Sequence, residues 1–334
     1  MPSGLFAMIA NLTDFLFWLV LAVPVVGAAS IAYGVLVERR WYRVAMYRLP
    51  ILPAESPVGL TLLHLSDLHF VASDPGKAHL LSSLPAADVT VVTGDMLGEP
   101  EAAEAVAAAL RPVRGTSASY FVLGSNDYFA PRPLSYLAYF RKRRRRHRVT
   151  PGGARELVSL LEADGWIHLR NRRESIHVAG VRLEVVGLDD PHIERHDLRA
   201  AVRADQRAFG LAVVHSPDPV PELAALGYDL VVCGHTHGGQ VRMPLVGALV
   251  TNSTIPTRLS MGLSRLGGTL LHVSPGLGTS KFAPFRFLCR PEATLLELAR
   301  RGPARRGLEE EKGRGEDQAP GLAADESTRS NTAS

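Results

Sequence analysis

The feature that most constrains this chain is a recurrence: short apolar runs that break off into Gly, Asp, Asn and His. Residues 60–65, 89–93, 120–123, 182–187, 211–214 and 230–233 are each rich in Val, Leu or Tyr, and runs of this length and composition predict buried strands. Between them, helices are predicted over 101–110 and 154–163, the latter closed by Asp164-Gly165. Residues 272–273 and 293–298 read as closing strands. Alternating strands and helices of this kind specify an α/β domain, and open α/β sheets bind ligands outside the carboxyl ends of their strands.

Five strand ends carry side chains that suit a divalent metal. The first is Ser66-Asp67-Leu68-His69, where a carboxylate and an imidazole two residues apart leave an extended segment on the same side. The second is Thr93-Gly94-Asp95, with glycine letting the backbone turn sharply and leaving the aspartate at the strand tip. Gly124-Ser125-Asn126-Asp127 is the third, and His215 before Ser216-Pro217 is the fourth. The fifth, Gly234-His235-Thr236-His237-Gly238-Gly239-Gln240, puts two imidazoles on one tight turn after the apolar run 229–233. Any one of the first four is a common turn or loop pair. All five in succession predict a metal centre, with Asp67, His69, Asp95, Asn126, His215, His235 and His237 as its candidate residues.

The order of these segments resembles the calcineurin-like metallophosphoesterases across roughly residues 60–298. The Gly-His-Thr-His-Gly-Gly-Gln form, with the later Ser274-Pro275-Gly276-Leu277-Gly278-Thr279-Ser280, is similar to a membrane-associated bacterial branch that includes UDP-2,3-diacylglucosamine pyrophosphatase relatives. The resemblance implies a two-sheet sandwich flanked by helices, an α/β/β/α fold. It also implies two divalent metal ions (Mn, Fe or Zn): Asp67, His69 and His237 on the first, Asn126, His215 and His235 on the second, and Asp95 bridging. Mixed oxygen and nitrogen ligands without thiolate fit these metals. The implied activity is hydrolysis of a phosphoester or pyrophosphate bond, with a metal-bridging hydroxide as nucleophile.

One segment departs from the pattern. The family's Gly-Asn-His-Asp is Gly-Ser-Asn-Asp here. Without a gap, Ser125 takes the ligand position and Asn126 stands for the histidine that protonates the leaving oxygen. With a loop one residue longer, Asn126 remains the ligand and Asp127 stands in the acid's place, the preferred reading because an amide oxygen ligates better than a neutral hydroxyl. Either way the imidazole acid is absent. General-acid help is worth about 10² to 10⁴ in rate, whereas a phosphate leaving group with a pKa near 6 needs little protonation. Pyrophosphate or activated diester bonds are therefore expected over simple alkyl phosphates.

The remaining expectations concern organisation. At 334 residues the chain accommodates one large α/β domain plus appendages. Residues 15–37 carry no charge; as a helix this run spans about 35 Å, enough to cross a bilayer. Its length, and the absence of Lys or Arg before it, favour an anchor over a cleaved signal. Arg39, Arg40, Arg43 and Arg48 follow the run and only Asp14 precedes it, which places the catalytic domain in the cytoplasm of a single-pass cell-membrane protein. Expected boundaries are 1–48 for the membrane segment, 49–59 for a Pro-rich linker, 60–299 for the phosphoesterase domain and 300–334 for a disordered tail poor in large apolar residues.

The net charge of +4 is local in origin, because the run 141–148 holds seven of the 37 Lys and Arg and the other 30 face 33 acidic residues. That balance, and the lack of aromatic residues within the run, argue against a nucleic-acid partner. The run is read as a solvated insertion or as a contact to anionic lipid head groups. Tyr128, Phe129, Tyr136, Tyr139 and Phe140 flank the third segment as loop packing or as the wall of an acyl-chain groove. The phosphorylated substrate is expected to be lipid-linked or nucleotide-linked. Cys233 and Cys289 read as buried thiols. The rival to an enzyme is a non-catalytic membrane module whose metal site is only structural, although such sites are usually coordinatively closed.

Overall fold

A computed structural model describes residues 3–131 and 150–301. The basic run 141–148, Tyr136, Tyr139, Phe140 and the tail from residue 302 lie outside the described residues. Along the chain come α1 (Ser3–Leu36), β1 (Arg43–Leu52), β2 (Leu60–Leu65), α2 (Pro75–Ser82), β3 (Val89–Thr93), α3 (Ala103–Leu110), β4 (Ala118–Val122) and the one-turn α4 (Ser125–Tyr128). Then follow α5 (Ala154–Ala163), β5 (Ile167–His168), β6 (Arg172–Val178), β7 (Val181–Gly187), β8 (Phe209–Val213), α6 (Val220–Ala225) and β9 (Leu230–Cys233). A hairpin of β10 (Arg242–Met243) and β11 (Gly247–Ala248) precedes β12 (Gly262–Leu266), β13 (Thr269–Val273) and β14 (Glu292–Arg300).

Two six-stranded sheets carry the domain, ordered β1-β14-β2-β3-β4-β5 and β12-β13-β9-β8-β7-β6. Period-2 alternation gives the central strands two buried faces. In β2, Leu60 and Leu62 point between the sheets while Leu63 and Leu65 point outward, under α2, α3 and α5. From the second sheet, Leu183, Val185, Leu211, Val213, Leu230 and Val232 meet the first across the inner core. Val186, Val214, Val231 and Val273 face outward onto α6. The result is the expected α/β/β/α sandwich. Full burial of each such side chain is worth roughly 1.5–3 kcal/mol.

Within each sheet the central strands run parallel: β2, β3 and β4 in the first, β7, β8, β9 and β13 in the second. Their carboxyl ends therefore open on one edge of the sandwich. The five polar segments follow β2, β3, β4, β8 and β9, so the topology delivers them to one place.

The first sheet starts earlier than expected. Part of the anticipated 49–59 linker, together with the residues before it, is β1, which pairs in parallel with β14 from Arg43↔Glu292 onward. As an edge strand it alternates half-exposed and exposed residues before burying Leu49, Ile51 and Leu52; Pro50 is tolerated because an edge needs fewer ladder donors. Upstream, α1 exceeds the uncharged run 15–37 at its amino end and contains Pro24. It is the one described helix long and apolar enough to cross a membrane, with a mean hydropathy of 2.3 over its best window and none of that window buried. Both cysteines are buried and free.

Candidate metal centre

The site is assembled from loops held in strained backbone. Asp67, His69, Asp95, His235 and His237 all have positive φ, five of the eleven non-glycine residues that do among the described residues. Such conformations cost of order 1 kcal/mol or more each and persist where the surroundings over-determine them. Their effect is to turn each side chain off its strand end and into the gap between the sheets. Gly234 is required there, since a Cβ would collide with Ser66 Oγ and Asp67 Oδ2. Gly124 likewise leaves room for Asp95 Oδ1.

Asp95 is central and its two oxygens face different partners. Oδ2 lies 3.7 Å from His69 Nε2, and Oδ1 lies 3.5 Å from His215 Nε2. On the first side His69 Nε2 and His237 Nε2 are 3.2 Å apart, and His237 Nε2 is 3.6 Å from Asp67 Oδ1. On the other, His215 Nε2 and His235 Nδ1 are 3.2 Å apart. The Asn126 backbone donates to Asp95 Oδ1 at 2.8 Å, and its side-chain amide donates to Oδ2. All seven sequence-predicted candidates converge, and it is the Asn126 side chain that reaches Asp95.

The residues present fit a metal. Asp67 Oδ1 is buried with no hydrogen-bond partner, a costly state for a carboxylate oxygen unless a cation faces it. Asp67, His69 and His237, and again Asp67, Asp95 and His215, bring ligand atoms within 4.8 Å of one another. For two of the imidazoles the electrostatics agree. Burial lowers His69 to about 4 and His235 to about 3, so both rings are neutral at pH 7 with a lone pair to offer. Burial alone would raise Asp95, but His215, His69 and the Asn126 hydrogen bonds hold its carboxyl well below the usual carboxylate range. Burial also opposes charge on His215, yet Asp95, Asp190 and Asp67 outweigh it and raise the ring to about 9. In Asp67 burial dominates and pushes the carboxyl up to about 6.

A buried polar chain fixes Asp67 from behind. His272 Nδ1 meets His64 Nδ1 at 2.8 Å, His64 Nε2 meets Thr93 Oγ1 at 2.9 Å, Thr93 Oγ1 meets Ser66 Oγ at 2.7 Å, and Ser66 Oγ donates to Asp67 Oδ2 at 2.6 Å. With Asp67 ionised, hydrogen counting leaves one arrangement. Ser66 gives its proton to the carboxylate, so Thr93 must donate to Ser66 and His64 Nε2–H to Thr93. His64 Nδ1 then accepts from His272 Nδ1–H. Oδ2 is thus occupied, by Ser66 and by the His235 backbone N–H at 3.0 Å, which leaves Oδ1 toward the site.

Asp127 takes a position other than the one expected of an acid. Its Oδ1 accepts from the Leu97 N–H and its Oδ2 from the Gly124 N–H, both at 2.9 Å, and it is fully buried. Burial raises it to about 7, but both oxygens are committed to shaping the loop. Tyr128 is also committed, donating to Asp189 at 2.7 Å beneath the Arg195 guanidinium, which is loop packing.

Three site neighbours escaped sequence reasoning. Asp190 and His192 follow β7, and the His192 ring lies 4.5 Å from that of His235. Asp190 acts on His215 through its charge, its Oδ2 is buried without a hydrogen-bond partner, and burial raises it to about 6. The same rule that found the other strand ends could have found this one, since Leu188-Asp189-Asp190-Pro191-His192 is a polar cluster after an apolar strand. Arg286 has no such local signal. Fully buried, it donates to the carbonyls of Pro275, Gly276 and Gly278 and lies 3.5 Å from His237 Nδ1.

A family model described as calcineurin-like phosphoesterase matches residues 60–239, more than half of the chain. The chain belongs to the calcineurin-like phosphoesterase family. As such it is a hydrolase acting on phosphoester bonds, and its family implies divalent metal ions. The phosphoesterase is 28% identical to the uncharacterized metallophosphoesterase YkuE of Bacillus subtilis over 242 residues, 70% of this chain and 76% of the relative. YkoQ of the same organism, also named an uncharacterized metallophosphoesterase, is 26% identical over 72% of this chain and 83% of its own length. The UDP-2,3-diacylglucosamine pyrophosphatase LpxG of Chlamydia trachomatis is 26% identical over 71% of this chain and 83% of its own length.

Proposed function

We propose that this phosphoesterase is a membrane-anchored, dinuclear hydrolase that cleaves a pyrophosphate or activated phosphodiester bond in a lipid-linked or nucleotide-linked substrate. The observation that carries the reading is Asp95, whose two oxygens face two separate ligand sets at 3.7 and 3.5 Å. In this reading Asp67, His69 and His237 hold one ion, Asn126, His215 and His235 hold the other, and Asp95 is shared. Two such ions, Mn, Fe or Zn, would supply Lewis-acid charge and a water of lowered pKa.

The chain's own residues set the conditions. Burial keeps His69 and His235 neutral, while Asp95 stays ionised and Asp67 presents only Oδ1. No imidazole stands in the Gly124-Ser125-Asn126-Asp127 segment, and Asp127 is spent on backbone amides. Bonds whose leaving oxygen needs little protonation are therefore favoured. The name of LpxG denotes a pyrophosphatase of UDP-2,3-diacylglucosamine, in keeping with this preference. The apolar α1, followed by Arg39, Arg40, Arg43 and Arg48, supports a single span with the domain on the cytoplasmic side.

The test is manganese-dependent hydrolysis of bis-p-nitrophenyl phosphate by the full chain in neutral detergent, with metal content measured in parallel. Activity that disappears in Asp95→Asn is expected. Two bound metals without turnover would instead support the non-catalytic membrane module. Equal turnover of an alkyl phosphomonoester and a nucleotide diphosphate-linked substrate would sink the leaving-group preference.

A further inference from the structure

Where α1 ends, the chain is fastened to the loop behind the metal centre. Glu38 is buried, and its carboxylate accepts from the backbone of Leu288 at 2.9 Å and Cys289 at 2.5 Å. The Arg286 N–H donates to Gly34 O at 3.3 Å, and the Tyr33 and Phe287 rings meet edge to face at 6.3 Å. Gly34 permits this approach, since a Cβ there would stand 2.5 Å from Arg286 O. Arg286 in turn lies against His237. The end of the apolar helix and the metal centre are thus tied through one loop.

Beside this junction is a cavity of about 680 Å³, running from Arg39 and Arg40 at the helix end to His69 at the metal centre. Lys77, Thr279 and Lys281 also line it. Two of its four cations are already neutralised, Lys77 by Asp74 and Lys281 by Glu99, each at 2.7 Å. Arg39 and Arg40 have no such carboxylate contact among the described residues, and Arg39 Nε is buried without a hydrogen-bond partner. A guanidinium in that state calls for an anionic oxygen acceptor. The volume lies in the range of small-molecule sites.

We propose that this cavity receives the phosphate-bearing head group of a membrane amphiphile, with its acyl chains left in the bilayer around α1 and its phosphate between Arg39, Arg40 and His69. The inference rests on the hydrolytic reading of the centre for its purpose, though not for its detection. It gives the anchor a second role: besides retaining the enzyme at the membrane, α1 leads directly into the Glu38–Arg40 turn, whose Arg39 and Arg40 supply one wall of the substrate site.

The experiment measures binding by calorimetry to the full chain in neutral detergent, with dioctanoyl phosphatidic acid, dioctanoylglycerol, glycerol 3-phosphate and inorganic phosphate as probes. Phosphatidic acid is expected to bind at least about tenfold tighter than glycerol 3-phosphate, with dioctanoylglycerol not binding. In Arg39→Ala/Arg40→Ala phosphatidic acid binding should weaken by about thirtyfold, as expected for two basic groups near a membrane surface. Arg40→Ala alone, at an exposed position, should weaken binding at least about threefold and serves if the double variant fails to fold. Equal affinity for phosphatidic acid and glycerol 3-phosphate would overturn the proposal in favour of free phosphate, and phosphatidic acid binding left unchanged by the substitutions would overturn it as well. Because binding is read directly, a chain that binds phosphatidic acid but hydrolyses no diester would overturn the hydrolytic reading alone.

Discussion

The two sides of Asp95 are built differently. On one, Asp67 is fully buried, its Oδ2 is fixed by Ser66 and the His235 backbone, and the Arg286 guanidinium backs His237. On the other, Asn126 is only half-buried and sits on a one-turn helix, next to the loop that carries Asp190 and His192. The first side is pinned by groups that cannot move without breaking the core. The second side also holds the fully buried His215, whose Nδ1 meets Thr93 O at 2.7 Å, but Asn126 on its one-turn helix has no such backing, and it is there that the chain departs from the family pattern. A rigid side and an adjustable side let one scaffold keep its chemistry while its substrate preference changes.

The largest expected contrast is between ligands on the two sides. Asp67→Ala removes the carboxylate and leaves the chain behind it aimed at nothing, so diester hydrolysis should fall by about 10³ or more, equivalent to several kcal/mol. Asn126→Ala removes a neutral, half-buried group, and a loss of roughly 10- to 100-fold is expected. Parallel kinetics with metal analysis check this; equal losses would erase the distinction between the sides.

Next comes the pH dependence of the metal-free chain. His69 and His235 are lowered to about 4 and about 3 by burial, so the unfolded state binds their protons first and stability falls as pH drops from about 6.5 toward 4. Asp67, Asp127 and Asp190, raised to about 6, about 7 and about 6, act in the opposite sense, because protonating them between about pH 7 and 4 favours the folded state. His215, raised to about 9, contributes fully below 6.5 and does not change across this window. His64, His168, His237 and His272 are lowered by burial as well, and six lowered histidines outweigh three raised aspartates, so chelated protein should lose several kcal/mol between pH 6.5 and 4. Urea melts at those two pH values, in excess chelator, are the measurement; unchanged stability would mean the imidazoles are less secluded than their burial implies.

A smaller effect isolates the pinned side. In His64→Phe the chain from His272 through Thr93 to Ser66 loses its middle link without touching any expected ligand. Metal affinity, read as the manganese concentration for half-maximal activity, should weaken about 10- to 100-fold, with most activity returning at saturating metal. If Asn126→Ala shifts that concentration more than His64→Phe does, the two sides have been ranked the wrong way round.

Much of this organisation was legible because its signals are local. Strands 60–65, 89–93 and 230–233 coincide with β2, β3 and β9, since fully buried strands read as unbroken apolar runs. Helix 154–163 coincides with α5 for the opposite reason, a clean amphipathic period. The strand-end rule then gathered all seven candidates before any geometry was known. What it did not supply depends on long-range contacts. β1 acquires its strand character from β14, about 250 residues away in sequence, and its own residues alternate too weakly to show it. Arg286 meets His237 across 49 residues of sequence while its guanidinium satisfies three carbonyls of the preceding loop, at Pro275, Gly276 and Gly278. Asp127 looked like a stand-in acid because sequence places it beside Asn126; that its oxygens turn toward Leu97 and Gly124 follows from the turn of α4, which spacing alone does not specify.

His192 tests the adjustable side most gently. It sits in a short turn over Pro191–Ile193, its backbone N–H bonded to Asp190 Oδ1 at 2.8 Å, with its ring tilted 44° against His235. A ring pair of this kind is worth about 0.5–1.5 kcal/mol, so its removal should loosen His235 rather than release a metal. His192→Ala is expected to lower kcat about three- to tenfold while two metals per chain are retained. The counterpart on the pinned side is the stacked His69–His237 pair, with ring centroids 5.0 Å apart, where neither ring can be removed without removing an expected ligand. If His192→Ala instead cost more than about 10² in rate together with one metal, His192 would itself be a ligand. The adjustable side would then hold its ion with three imidazoles, and Asn126 would be left free to contact substrate.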